Sequence, residues 1–161
     1  MLDKVDRRIL AILQTDNMIT NLELAERAHL SPPTCLRRVR KLRDNKVIVA
    51  DVCLVDPAAV GDRLFVFVEI VLDRQGESQQ AAFESRMLTT PEVAQCYMVS
   101  GETDFMLIVQ VKDMSDYHRF VRRYLSGDPN IRNFHSLFSI NRVKFDTRLD
   151  LSEGGARGDI A

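Results

Sequence analysis

Apolar positions recur at helical spacing through the first fifty residues and alternate thereafter. Val5, Ile9 and Ile12, with Leu10 and Leu13, form one face; Arg7, Arg8 and Gln14 fall outside it. Asp3 is placed to cap this helix, and Thr15-Asp16-Asn17 ends it. Thr20-Asn21-Leu22-Glu23 is a capping box, in which a hydroxyl and a carboxylate satisfy each other's backbone amides. Leu22, Ala25 and Ala28, or Leu24 and Ala28, supply the inner face of a second, short helix that stops at His29-Leu30. A third starts at once: Ser31 is a good N-cap, and Pro32 suits the first helical position, where no amide bond is lost. Its body runs from Pro33 to Arg43. Val47-Ile48-Val49 and Val52-Cys53-Leu54-Val55, with polar Asp51 between, predict a short two-stranded wing.

Beyond Asp56-Pro57 the pattern changes to strand-like runs separated by helical ones. Strands are predicted at 64–72, 93–100, 105–112 and 133–144, with helices at 76–88 and 117–125. The order β-α-β-β-α-β is the ferredoxin-like arrangement. The chain is therefore α+β. Residues 1–55 form an N-terminal winged helix-turn-helix, 56–63 a hinge, 64–149 a ferredoxin-like C-terminal domain, and 150–161 a Gly-rich tail expected to be disordered.

The third helix carries the candidate chemistry. On a wheel of about 100° per residue, Cys35, Leu36, Val39 and Leu42 share an arc of roughly 120°. Arg37, Arg38, Arg40 and Lys41 fall on the remaining arc, with Thr34 among them. An apolar back and a cationic front fit a recognition helix entering a DNA major groove by its N-terminal end. Ser31, Pro33, Thr34, Arg37 and Arg38 would meet bases or flanking phosphates, since an arginine fork matches guanine O6 and N7. Arg40, Lys41 and Lys46 are assigned to phosphates, which position without specifying. Thr20 and Asn21, at the start of the second helix, join the candidate DNA-binding set.

Charge sharpens this. The 161 residues sum to a net −1, but residues 1–50 hold ten Lys/Arg and six Asp/Glu, a net +4, and the remainder is −5. One part is suited to a polyanion and the other is not. No run approaches the roughly 20 apolar residues that span a bilayer. The opening Met1-Leu2-Asp3-Lys4-Val5-Asp6 lacks the pattern of a signal peptide, so a cytoplasmic protein is expected. Cys35, Cys53 and Cys96 are odd in number and widely spaced, which argues against a disulfide framework or a metal site. No phosphate loop, G-x-G-x-x-G or nucleophile-base spacing occurs, so no catalytic residue and no cofactor are assigned and the protein is not read as an enzyme.

The stretches 2–10, 21–39 and 93–105 resemble the leucine-responsive regulator/AsnC (Lrp/AsnC) family of transcription factors. The likeness covers roughly residues 2–149. It implies a winged helix-turn-helix on double-stranded DNA and a C-terminal effector-sensing domain of the RAM type. It also implies homodimers assembling further, commonly as an octamer. The turn Ser100-Gly101-Glu102-Thr103-Asp104 matches the family's glycine-to-aspartate turn beside the effector site between dimers. A free amino acid needs an acceptor for its ammonium and donors for its carboxylate. Asp104 would serve the first; the amides of Gly101 to Thr103 and nearby hydroxyls would serve the second. Ser136 matches a family position on the last strand, and Ser139 lies close by in sequence. The same turn also reads as a plain hairpin connection.

Two competing classes fit the same sequence. One is an effector-independent architectural DNA-binding protein. The other is a metabolic domain on a ferredoxin-like fold, which hosts many activities.

Overall fold

The computed structural model describes residues 2–61 and 63–151. They divide into two compact units. One combines residues 2–54 with 144–151, and the other spans the rest.

The first unit is built on α1 (Lys4–Leu13), α2 (Asn21–Ala28) and α3 (Pro32–Asp44). Asp3 caps α1 through a box with Asp6, and Thr20 caps α2 through a box with Glu23. The turn between α2 and α3 is tight because His29 adopts a left-handed backbone, φ 56°, and Leu30 N donates to Ala25 O. Ser31 occupies the N-cap of α3, but its hydroxyl donates to Thr34 Oγ1 rather than capping a backbone amide. Ile9, Leu10, Leu24, Ala25, Ala28, Cys35, Val39 and Leu42 form the core. Leu22 and Leu36 are exposed, so each inner face is narrower than the wheel predicts. Burial pushes the Cys35 thiol up, so it behaves as a small hydrophobe.

The expected two-stranded wing does not form: residues 47–55 contain no strand. Val47 N and Ile48 N both donate to Leu42 O, closing the end of α3, and Lys46 takes a positive φ of 57°. Val49, Val52 and Leu54 are then largely exposed, and Asp51 pairs with Arg43 on α3. A lone two-stranded ribbon needs a third strand or a core to lean on, and none is supplied here.

In the second unit a 3-10 turn, Pro57–Val60, lies in the predicted hinge, with Asp56 Oδ1 accepting from Ala58 N. There follow β1 (Leu64–Leu72), α4 (Glu77–Leu88), β2 (Val93–Met98), β3 (Phe105–Val111), α5 (Met114–Phe120) and β4 (Ile131–Phe138). A single π-helical turn, Val121–Leu125, extends α5. The strand order β2-β3-β1-β4, antiparallel throughout, is the ferredoxin-like sheet expected from the pattern. Val66, Val68, Ile70, Leu72, Phe105, Leu107, Val109 and Val111 point to one face, where Phe83 and Met87 of α4 and Tyr117 and Phe120 of α5 cover them. The other face carries Phe67, Tyr97, Ile108 and Leu137, in register with its neighbours and partly or largely exposed.

Several boundaries differ from expectation: β2 ends at Met98, α5 begins at Met114 and β4 begins at Ile131. The last strand stops at Phe138 rather than continuing to Lys144, because its partner β1 is exhausted once Ser139 N donates to Phe65 O. Residues 144–149 pack with the first unit. Leu151, placed in the unstructured tail, packs against the core of the first unit. The remainder of that tail, 152–161, lies outside the described residues.

Candidate nucleic-acid interface and ligand turn

Helix α3 buries Cys35, Val39 and Leu42 and leaves Pro33, Arg37, Arg40 and Lys41 exposed. Thr34 is half-buried behind them and accepts the Ser31 hydroxyl at 2.9 Å. Pro33, Arg37, Arg40 and Lys41 line a shallow concavity together with Leu36 and Asp44. Three cations thus share one solvent-facing stripe, the arrangement that attracts a phosphate backbone. Lys46 sits just past the C-terminus of α3 and is also exposed.

Arg38 does not belong to that stripe. Its Nη1 lies 2.7 Å from Asp3 Oδ2 and 2.7 Å from Asp6 Oδ1, so the side chain turns back onto α1. A DNA contact by Arg38 would require it to leave these two carboxylates. Two carboxylates at one helix N-terminus repel each other, and the guanidinium between them relieves that repulsion. The Asp6 amide and then Arg38 hold the Asp3 carboxyl below its ordinary range. Asp3, followed by Asp6, raises the Arg38 guanidinium in turn. Asp3 and Asp6 lie three residues apart on one helix side, a signal visible in the sequence. Asp3 reads in the sequence only as the cap of the first helix, and nothing local points to a partner more than thirty residues away.

Thr20 and Asn21 are likewise engaged inside the unit. Thr20 donates its hydroxyl to Glu23 Oε2 at 2.7 Å, and Asn21 Nδ2 donates to Pro32 O at 3.0 Å. Asn21 therefore ties the start of α2 to the start of α3. Arg8 Nη1 donates to Ala28 O at 3.2 Å, satisfying a carbonyl at the end of α2 where positive charge is favoured.

In the second unit, residues 99–104 connect β2 to β3. Val99 N donates to Asp104 O, Asp104 N donates to Ile70 O, and Asp104 Oδ2 accepts from Leu72 N at 2.7 Å. Asp104 thus holds the turn against the end of β1. Ser100, Gly101 and Glu102 are exposed and Thr103 is half-buried. Gly101 takes φ 142°, a conformation that side chains rarely adopt.

Ser136 and Ser139 do not join this turn within one chain. Ser136 lies opposite Val68 on the helix-covered face, its Oγ 2.5 Å from Tyr117 Oη. Burial raises the Tyr117 phenol above its usual value, with a partial offset from Ser136. Ser139 N bonds Phe65 O, whereas Asp104 bonds Ile70 and Leu72. From Phe65 to Leu72 a strand advances about 23 Å.

Among the described residues no cluster of three His, Cys, Asp or Glu is placed to hold a metal, and no helix is long and apolar enough to cross a membrane.

This arrangement has known counterparts. Residues 2–43 match the AsnC-type helix-turn-helix domain, and residues 65–149 match the Lrp/AsnC ligand binding domain. The chain is 45% identical over 150 residues to an HTH-type transcriptional regulator of Haemophilus influenzae, covering 93% of this chain and 89% of that protein. It is 38% identical over 143 residues to the leucine-responsive regulatory protein of Rhizobium meliloti, covering 89% and 92%. A crystal structure of a transcriptional regulator from Neisseria meningitidis in complex with L-Met superposes with a TM-score of 0.84 at 33% identity, covering 94% of this chain and 97% of that one. Both matched domains and these relatives are those of a regulator rather than an enzyme. The chain belongs to the Lrp/AsnC family of DNA-binding transcriptional regulators.

Proposed function

We propose that α3 reads double-stranded DNA through Ser31, Pro33, Thr34 and Arg37, with Arg40, Lys41 and Lys46 on flanking phosphates. Thr20 and Asn21 act from the N-terminus of α2, chiefly by holding the two helices at a fixed angle. The carrying observation is the cationic stripe of Arg37, Arg40 and Lys41 opposite the buried Cys35, Val39 and Leu42. Such a stripe supplies the salt-dependent part of affinity, and an arginine fork supplies base discrimination.

The second unit is the sensor. Its ligand is a free amino acid, in keeping with the L-Met held by the Neisseria meningitidis regulator. The exposed amides and side chains of Ser100, Gly101, Glu102 and Thr103 receive its charged groups, on a turn fixed by Asp104. Ser136 and Ser139 take part only where a second subunit brings its own strand to that turn. The open sheet face with Phe67, Tyr97 and Leu137 is the surface on which two chains meet as a homodimer. Dimers then associate further, with an octamer as the expected assembly in the cytoplasm.

Control follows from linkage: the amino acid shifts DNA binding only by favouring one state of the protein over another. The test is a gel-shift titration against the chain's own upstream DNA at several salt concentrations. A thermal-shift panel of the twenty amino acids, with oligomer size measured in parallel, accompanies it. Specific binding with one responsive amino acid is the expected result. Specific binding with no response across the panel supports the effector-independent architectural reading instead.

A further inference from the structure

The outer face of α1 is occupied by the chain's own C-terminal segment. Gln14, at the C-cap of α1, donates Nε2–H to Leu149 O at 3.1 Å and accepts from Leu149 N at 2.7 Å on Oε1. One side-chain amide thus satisfies both backbone groups of one residue, as a neighbouring strand would. One turn of helix and more upstream, Arg7 Nη1 reaches Leu151 O at 3.4 Å. The Leu151 side chain packs against the core formed by α1, α2 and α3. Just before Leu149, Asp146 and Arg148 pair with each other at 2.7 Å, which stiffens the segment. Arg7 and Gln14 are two of the residues that the hydrophobic pattern leaves outside the apolar face of the first helix, so their long-range partners are a fact of the fold.

The connectivity gives this contact a consequence. Strand β4 ends at Phe138, and residue 144 already belongs to the helical unit. While 144–151 is seated, two lengths of chain join the units: the hinge before β1 and residues 139–143. Five residues reach at most about 18 Å. When the segment leaves its seat, only the hinge remains, and the helical unit gains freedom relative to the sheet.

We propose that the outer face of α1 is the seat of the C-terminal segment, and that Gln14 is the positioning residue that keeps it there. Seating ties the recognition unit to the last strand of the sensing sheet and narrows the orientations α3 can take. This rests on the DNA-reading role given to α3 above. Any ligand that moves the end of β4 then acts on DNA binding through this segment, by changing how often it is seated.

The experiment uses the full chain with Gln14→Leu, which removes both hydrogen bonds at similar size, and Gln14→Glu, which keeps the acceptor for Leu149 N. Trypsin cleavage after Lys144 and Arg148, followed by mass, reads the seat. Gel shift over a range of salt reads DNA binding. In Gln14→Leu, cleavage at those two positions is expected to speed up about tenfold, with Gln14→Glu intermediate. Affinity for specific DNA is expected to fall about threefold to tenfold. The slope of log affinity against log salt is expected to stay the same, because no phosphate contact is lost. Unchanged cleavage overturns the seat, and faster cleavage with unchanged DNA affinity overturns the positioning role. If the wild-type chain binds no specific DNA, the DNA-reading role of α3 fails, and the cleavage result still decides whether Gln14 seats the segment.

Discussion

Arg38 on the recognition helix reaches back to Asp6 on α1, with 2.7 Å between Nη1 and Oδ1. The same nitrogen lies 2.7 Å from Asp3, so one guanidinium locks the N-terminus of α1 to the middle of α3. In the helix-turn-helix this adds a polar tie from α3 to α1 to the packing of Cys35, Val39 and Leu42 in the core.

Arg38→Met is therefore expected to lower the melting temperature of the helical unit and to weaken DNA binding indirectly. Asp6→Asn is expected to do the same, and the double variant to be little worse than either single one, as for groups acting as a unit. The salt slope decides the mechanism. Loss of a phosphate contact reduces it by about 0.9, whereas loss of the lock leaves it unchanged. A reduced slope in Arg38→Met with no effect from Asp6→Asn would return Arg38 to the DNA.

Arg37, about 100° round the same turn of α3, is exposed. Arg37→Ala is expected to cost about 1–3 kcal/mol against the specific site and much less against random DNA. Arg40→Ala is expected to weaken both by similar factors and to reduce the salt slope by about 0.9. Competition gel shifts with specific and scrambled duplexes separate the two. Equal losses on both duplexes for Arg37→Ala would move it to the phosphate class.

Acid should open the helical unit from its capping boxes. The Asp3 carboxyl is held below its ordinary 3.8, first by the Asp6 amide and then by Arg38. The Glu23 carboxyl is held below its ordinary 4.5 by the Thr20 hydroxyl and amide. A carboxyl whose folded pKa is depressed stabilises the fold above its unfolded pKa and loses that contribution as pH falls through the folded value. Amide signals of α1 and α2 are thus expected to weaken as pH drops below about 4. Asp3→Asn should flatten this dependence, and superimposable acid titrations of variant and wild type would contradict the assignment.

Gly101 offers a test in the sensing unit. A Cβ added there meets nothing within 4 Å, so any cost comes from its φ of 142° alone. Gly101→Ala is expected to destabilise the second unit by about 1–3 kcal/mol, read as a lower melting temperature. An unchanged melting temperature would mean that the turn relaxes into an ordinary conformation.

Much of this protein was legible along the chain. Asp3, Thr20 and the Ser31-Pro32 pair marked the three helix starts, because capping depends on residues within one turn. The alternation through Val66, Val68 and Ile70, with Phe105, Leu107 and Val109, marked the sheet, because side-chain direction in a strand has period two. The likeness to the family was carried by short stretches of both units. What the pattern leaves out lies where a local signal competes with a distant partner. Val47 to Val55 look like strands, yet find no third strand to pair with. Arg38 looks like a groove contact, yet two carboxylates on another helix hold it. Arg7 and Gln14 look like solvent-facing residues of α1, yet they seat a segment 144 and 135 residues away. Ser136, matched to the family's effector site between subunits, bonds Tyr117 on the covered face of its own chain. The sequence by itself therefore determined the helix starts, the alternation of the main strands, the opposite charge of its first fifty residues and the remainder, and the family. The tertiary structure alone decided which charged and polar side chains are committed inside the protein. Helix and strand periodicity arise between near neighbours, while a guanidinium or amide pairs with whatever the folded chain brings within about 3 Å.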